Sequence, residues 1–523
     1  MTQQPDQEKY KIMTYTKTEE IKLSPGDQHH LIHGQEHCFA YVLQQKVKVR
    51  IVKQELHTSN RAVAGELFLI PPDCIGTLQN SGSLQATVLL IHFRSESAAD
   101  AEGSSNARID NLPYRDSTGL KLLRLPQARS WIQDFQSDCG SDDVSLYYQL
   151  QSQLYAMVAA LVQATQQPRG TEAGLISFIE HTKQFMIEQI NSPMDMEELA
   201  RSSGVSTSRF YQAFRTYTGL SPLKYITKLR LDASMHMLSG TTASIVDVAH
   251  SVGYPDEYYF SRLFKKQLGL APTEYAQLAK KRVATLVSVF AGDLSALGMS
   301  TCLSIIRLGK HQQETVLQQL REAEPDLILA GPLEQDMHAA CSAIAPVLTL
   351  DWKAYSWKER LMDISEALGL STVGERWLAY YEIKVQNARM QLKDSLGDEP
   401  FLLVHAGQSG FRMFGPRRRK MKDFFYDDLQ MASPHSARQI GFLDTPSLHE
   451  IADLGCSSVL FLVPAGSSRA YCDQLEKSWL HLKQGDKQRK CMFISYHDRL
   501  NYNPLVHDGL IDETVRYFLN YAQ

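Results

Sequence analysis

A cassette of about fifty residues occurs twice near the middle of this 523-residue chain, which restricts that region to a duplicated structural unit. Phe210, Phe214, Gly219, Leu220, Pro222 and Tyr225 return fifty positions later as Phe260, Phe264, Gly269, Leu270, Pro272 and Tyr275. Upstream the offset is forty-nine, Ala200 and Gly204 reappearing as Ala249 and Gly253, so the copies differ by one residue in a turn.

Each copy reads as helix, glycine turn, helix. In the first, residues 194–203 carry Met196, Leu199 and Ala200 at helical spacing, Gly204 and Val205 turn the chain, and Ser206 caps a helix over 207–217. In the second, 243–251 is the first helix, Gly253 and Tyr254 the turn, and Asp256 caps a helix reaching Leu268. Gly219 and Gly269 stand where a helix should stop. Between the copies, 222–238 predicts a linking helix with Pro222 in its first turn and Ile226, Leu229, Ala233 and Leu238 along one stripe. Two helix-turn-helix units separated by about 34 Å would read successive major grooves on one face of a duplex.

The segment 178–281, above all IVDVAHSVGYPDEYYFSRLFKKQLGLAPTEY, strongly resembles the DNA-binding domain of the AraC/XylS family of transcription regulators. It departs from the family pattern at Tyr254, where Phe is usual, and at Ala271, where Ser is usual. The resemblance implies base contacts from Ser208, Tyr211 and Gln212 in the first copy and from Glu257, Tyr258, Ser261 and Arg262 in the second. Gln and Arg offer bidentate pairs to adenine and guanine, and Glu accepts from cytosine. Arg209, Arg215, Lys265 and Lys266 are placed for phosphates, which position the protein without specifying sequence. Solvated surface is the alternative reading of any one of them.

Residues 178–282 hold 13 Lys and Arg against 10 Asp and Glu, a local net charge of +3 in a chain whose total is −4. This basic excess is modest, so tight DNA binding is expected to need a homodimer or a switched conformation. The length calls for about three domains. The polar N-terminus and the lack of an 18-residue apolar run predict a cytoplasmic protein without membrane contact. Eight scattered cysteines without CxxC spacing support neither a disulfide framework nor a zinc site.

Residues 1–170 read as a β-domain followed by a helical linker or dimerisation region. Alternation through 47–52 (VKVRIV), the run 65–72 and the apolar segment 84–93 predict strands, and the region resembles the cupin-like β-barrel that often precedes this DNA-binding domain. His29, His30, His33, Glu36 and His37 cluster in sequence, but the spacing of a metal-binding cupin is missing and no metal site is expected. Residues 144–163 predict a helix with Leu146, Leu150, Leu154, Met157, Val158 and Leu161 on one stripe, facing its own barrel or a second subunit. Residues 95–108 and 165–173 read as linkers.

With 174–282 forming the all-α DNA-binding domain, 283–523 remains, and here apolar strands at 284–290, 327–330, 347–350, 401–405, 459–463 and 491–495 alternate with helices, the α/β pattern of a parallel sheet. Residues 373–396 form one long helix between two such sets. On this helix and on PDLIL, SAIAPVLTLD, WKERLMDISEALG and FRMFGPRRRKMKDFFYDDLQM, the region resembles the two-lobed binding proteins of iron-siderophore and vitamin B12 uptake, whose lobes are joined by a rigid bridging helix. That resemblance opens the loop bearing Arg412, Arg417, Arg418 and Arg419 onto a ligand cleft, with Trp352, Tyr355 and Tyr496 as aromatic walls. Arginines there suit the negative charge of a ferric tris-catecholate. A solvated charge run is the alternative, and His405 and His497 read as rim histidines.

No Ser-His-Asp set, phosphate loop or paired carboxylates are seen, so no catalytic residues and no intrinsic cofactor are expected. The resulting expectation is a ligand-responsive transcription factor with three partners, double-stranded DNA, RNA polymerase and a ferric siderophore. The alternative effectors are a hydroxamate siderophore, haem, a corrinoid or a protein. Small lobe motions transmitted near residues 280–282 would couple effector to DNA.

Overall fold

The computed structural model describes residues 11–34, 36–53, 56–97, 115–116, 119–126, 128–137, 144–165, 171–305, 313–352, 356–396, 399–407, 410–417, 419–486, 489–496 and 501–521. The chain forms two compact units, one of Met1–Glu188 with Asp195–Ala213, the other of Gln189–Met194 with Phe214–Gln523.

The first unit is built on two antiparallel sheets. One has the strand order Lys11–Leu23, Ala86–Ser97, His37–Gln44, Glu66–Ile70, Leu123–Arg124; the other runs Gln28–His33, Cys74–Gln79, Lys46–Lys53, Leu56–Val63. Among the described residues neither sheet closes on itself, so the strands expected around a barrel form two facing layers. Period-two alternation assigns each side chain to a layer. Cys38, Ala40, Val42, Phe68, Ile70, Val88 and Leu90 meet Val47, Val49, Ile51 and Leu78 of the second sheet. Phe39, Tyr41, Leu67, Leu69, Leu89, Ile91 and Phe93 point the other way, against Ala128–Gln136 and Val144–Thr165. Strands buried on both faces therefore read as unbroken apolar runs.

The helix Val144–Thr165 spends Leu150, Leu154, Met157 and Leu161 on its own sheet. Among the clustered histidines, His37 is buried and stacked on Phe93 at 5.2 Å, Glu36 pairs with Arg94 at 3.1 Å, and His30 reaches the Thr77 hydroxyl at 3.5 Å. Among the described residues no three His, Cys, Asp or Glu side chains converge to hold a metal.

The C-terminal part of the second unit has two lobes. Lobe 1 is a parallel sheet ordered Thr301–Ser304, Val283–Thr285, Leu327–Ala330, Val347–Thr349; lobe 2 is ordered Phe442–Thr445, Gly410–Phe414, Phe401–Gly407, Ser458–Pro464, Cys491–Tyr496. The bridging helix runs Ser371–Leu396. Two features depart from the sequence reading. The strand expected at 284–290 ends at Thr285 and a helix, Val289–Ala296, follows. Lobe 2 is mixed, because Gly410–Phe414 and Phe442–Thr445 pair antiparallel, which places Phe411–Phe414 in a strand and not a loop.

Buried polar groups tie the lobes. Arg360 donates from Nε and Nη2 to the Asp293 carboxylate at 2.9 and 3.2 Å and from Nη2 to the Tyr502 carbonyl at 2.7 Å, with both charged side chains fully buried. The Tyr502 hydroxyl donates to Asp423. Lys358 meets Asp428 at 2.5 Å, and the Tyr381 hydroxyl of the bridging helix donates to the same carboxylate at 2.7 Å. Burial raises the pKa of Asp423 and Asp428, against the pull of these donors. Polar pairs so deeply placed fix one lobe arrangement only if every partner stays.

Candidate DNA-reading surface and effector cleft

The second helix-turn-helix shows how sequence builds a reading surface. Its first helix, Ile245–Ser251, starts with a capping box in which the Ser244 hydroxyl and the Asp247 carboxylate exchange bonds with each other's backbone. The chain turns at Gly253, whose φ of 82° is in the left-handed region that glycine occupies without cost. Asp256 then accepts from the Tyr258 and Tyr259 amides at 2.8 and 3.0 Å and starts the recognition helix Glu257–Leu268, which Gly269 ends in a left-handed cap at φ 83°.

Phe260, Phe264 and Leu268 face the core, leaving the opposite side to solvent. Tyr258 is 74 % exposed, Arg262, Lys265 and Lys266 are exposed, and Glu257 and Ser261 are half-buried. The first copy repeats the pattern on Thr207–Thr218: Ser208, Arg209, Gln212 and Arg215 are exposed, Tyr211 is half-buried, and Phe210 and Phe214 are buried. All eleven side chains expected at DNA thus avoid full burial. Removing the Arg262 fork is expected to cost about 1–3 kcal/mol of discrimination at one base pair. Arg262→Ala should therefore weaken binding to a selected duplex about 5- to 150-fold while leaving non-specific duplex binding near its original level, measured by fluorescence anisotropy.

The expected effector residues are dispersed around lobe ends. Trp352 follows the strand Val347–Thr349 of lobe 1, and a Cβ on Gly331 would lie 3.5 Å from its indole. Tyr496 ends the last strand of lobe 2 and its hydroxyl lies 2.6 Å from His405 Nε2. Both rings pack against the same apolar cluster. Arg412 forks onto Asp444 across the antiparallel pair, with Nη2 at 2.7 Å, and this bond holds the Asp444 carboxyl below its ordinary range and raises Arg412. Arg417 donates to Gln439, Arg419 is exposed, and its charge acts on Asp423 of the interlobe network. Tyr355, Arg418 and His497 lie outside the described residues.

Sequence reasoning missed the surface on which the second helix-turn-helix docks. The linking helix Pro222–Gly240, the recognition helix and Pro272–Ala279 share one apolar cluster with both lobes. The Tyr275 hydroxyl donates to the Leu297 carbonyl at 2.7 Å and Ser239 donates to the Gly298 carbonyl at 2.7 Å. The bridging helix joins in, Arg376 donating to the Lys266 carbonyl at 3.2 Å, and it also meets the end of the first copy's helix, where Asn387 donates to the Thr216 carbonyl at 2.7 Å. The junction expected at 280–282 is only its edge, where Arg282 bonds the Ala323 carbonyl at 2.6 Å.

Capped helices on a glycine turn, with an apolar side inward and a polar side exposed, are the geometry of a helix-turn-helix unit. The family model described as a helix-turn-helix domain matches residues 199–278. The chain is 26% identical over 374 residues to the HTH-type transcriptional activator Btr of Bacillus subtilis (strain 168), covering 65% of this chain and 68% of that protein. It is 34% identical over 116 residues, 21% of this chain and 41% of the relative, to the RCS-specific HTH-type transcriptional activator RclR of Escherichia coli (strain K12). Among solved structures, FhuD2 from Staphylococcus aureus with bound ferrioxamine B aligns at 16% identity and a TM-score of 0.37, over 46% of this chain and 100% of that one.

Proposed function

We propose that this chain is a transcriptional activator that binds double-stranded DNA through its paired helix-turn-helix units and responds to a ferric siderophore held by its two-lobed C-terminal domain, a catecholate by preference. The observation that carries the DNA reading is the recognition helix with its exposed Tyr258, Arg262, Lys265 and Lys266. The effector reading draws on the two lobes joined by Ser371–Leu396 and on the exposed cations Arg417 and Arg419 at the edge of lobe 2. One observation favours a second effector. Asp444 already neutralises Arg412, which reduces the positive charge available to a trianion and suits a hydroxamate complex of lower charge.

Contact with RNA polymerase belongs to the same proposal, as does a homodimer. For the latter, Val144, Tyr148, Tyr155 and Val162 form an exposed apolar seam on Val144–Thr165, the last three at seven-residue spacing.

Calorimetric titration of the full chain with ferric catecholate, ferric hydroxamate, haem and cobalamin tests the effector. Submicromolar binding of the catecholate alone, weakened at least tenfold by Arg417→Ala combined with Arg419→Ala, is the expected outcome. Tight binding of the hydroxamate, indifferent to both substitutions, would replace the first reading by the second. A true effector must also change duplex affinity, since a ligand without differential affinity for two states shifts nothing.

A further inference from the structure

A groove of about 970 Å³ lies where the linking helix, the recognition helix and the bridging helix meet. This size is ample for a small organic ligand. It stands apart from the described lobe-end residues Trp352, Arg412, Arg417, Arg419 and Tyr496, none of which lines it.

Its wall chemistry is two-sided. Leu223, Tyr259 and Ile383 line it and are 61 %, 51 % and 41 % exposed, so apolar surface that a folded chain normally hides is gathered in one concavity. Four cations, Lys224, Arg230, Arg262 and Arg376, share the lining with a single acid, Asp256. That acid is spent on capping the recognition helix, through the Tyr258 and Tyr259 amides. Arg230 is spent too, on the Ile190 and Ser192 carbonyls at 2.9 and 2.7 Å. Arg376 bonds one carbonyl, and Lys224 and Arg262 are both exposed. The groove thus brings exposed apolar side chains together with the cations Lys224, Arg262 and Arg376, with Asp256 the one acid among its described lining residues.

The bridging helix supplies its wall with a second, outward stripe. Arg376, Ala379, Tyr380 and Ile383 recur at helical spacing toward the groove, while Tyr381, Val385, Ala388 and Leu392 fill the core. On the recognition helix, at about 100° per residue, Tyr259, Leu263 and Gln267 face the groove, whereas Tyr258, Ser261 and Lys265 lie on the side expected to read DNA. Arg262 falls between the two sets, and it alone belongs both to the groove lining and to the residues expected at base edges.

We infer that this groove is a ligand site for a small amphipathic organic anion, an apolar or aromatic body ended by a carboxylate or sulfonate, whose charge engages Arg262 and withdraws it from DNA. Charge complementarity selects the anionic end, and the exposed Leu223, Ile383 and Tyr259 select the body. The site would let a second signal act on the same recognition helix without passing through the lobes.

The test titrates the full chain with 8-anilinonaphthalene-1-sulfonate, comparing the wild type with Leu223→Glu, Ile383→Glu and, as a control on the other unit, Leu84→Glu, which replaces a 61 % exposed side chain. The expected result is one saturable site, weakened at least tenfold by each groove substitution and unchanged in the control. Affinity for a duplex selected in vitro should fall at least fivefold when the dye saturates. Equal dye binding by all four proteins overturns the site. Dye binding lost in the groove variants, with duplex affinity indifferent to the dye, overturns the role of Arg262. Loss of duplex binding in both groove variants, with dye binding intact, would make the groove part of the DNA path and also overturn the proposal. Both readouts, dye binding and duplex affinity, are independent of siderophore binding, so failure of the effector reading leaves this test standing.

Discussion

Asp293→Ala is expected to lower the stability of the lobes by about 3–5 kcal/mol, the cost of leaving a buried charge without its partner. Arg360 is fully buried and a guanidinium does not deprotonate, so the variant has no chemical escape. One guanidinium nitrogen, Nη1, already lacks a hydrogen-bond partner among the described residues, and removal of the carboxylate strips Nε as well. Arg360→Met should behave differently because its orphan can take up a proton. Burial pushes the Asp293 carboxyl up to about 7 even beside Arg360, whose charge and hydrogen bonds pull it down, and without the guanidinium it rises further. A carboxyl whose folded pKa exceeds its unfolded one binds protons more tightly when folded. Its penalty is absent below the unfolded value of 3.8, grows by about 1.4 kcal/mol per unit as pH rises from there toward the folded value, and levels off above it. Arg360→Met should therefore be the milder variant at pH 5 and lose stability steadily toward pH 8, while Asp293→Ala stays poor throughout. The double variant Asp293→Leu with Arg360→Met, carrying no buried charge, should recover most of the loss. Urea unfolding followed by the fluorescence of buried Trp357 reads all three. Equal costs with no pH dependence would mean that the two side chains do not act as an isolated buried pair.

What the sequence makes legible here follows the range over which each interaction acts. The repeat exposes Phe210 with Phe260 and Gly219 with Gly269 because caps, turns and apolar periodicity are local, and the observed helices Thr207–Thr218 and Glu257–Leu268 differ from expectation by a residue at most. The helix expected at 373–396 is found as Ser371–Leu396 for the same reason. Strand existence was equally readable, as in Lys46–Lys53, but closure was not: whether strands complete one barrel or split into two sheets depends on pairings such as Lys11 with Ser97, which leave no trace in either segment. The candidate cleft suffered from the same limit. Arg412 reads as a free cation until Asp444, thirty-two residues away, appears opposite it on the neighbouring strand. Arg376, Tyr380 and Ile383 carry an ordinary solvated-face pattern, and only the fold turns them into the wall of a groove.

Gly298→Val should peel the DNA-reading helices from lobe 1. Gly298 sits at φ 76°, and a Cβ there would lie 2.5 Å from both Met235 Cβ and the Tyr275 hydroxyl. Those two atoms belong to the linking helix and to Pro272–Ala279, whereas Gly298 follows the first helix of the lobe. A β-branched residue must therefore adopt a left-handed conformation, costing about 1–2 kcal/mol, and also drive Tyr275 off the Leu297 carbonyl. Breaking that buried bond adds about 1–3 kcal/mol. Tyr275→Phe, which removes the bond and keeps the ring among Phe264 and its neighbours, isolates the smaller part. Hydrogen exchange resolves where the energy goes. If the seam carries the coupling, amides of Pro222–Gly240 and Glu257–Leu268 should exchange at least tenfold faster in Gly298→Val, with the central lobe strand Leu327–Ala330 little changed, because the wedge opens one side of a shared cluster. The same variant should bind effector with normal affinity and fail to pass that binding on to the duplex. Equal acceleration in the helices and in Leu327–Ala330 would instead make helices and lobe one cooperative body. A signal would then have to move them together, and no device at the Gly298 seam could separate binding from response.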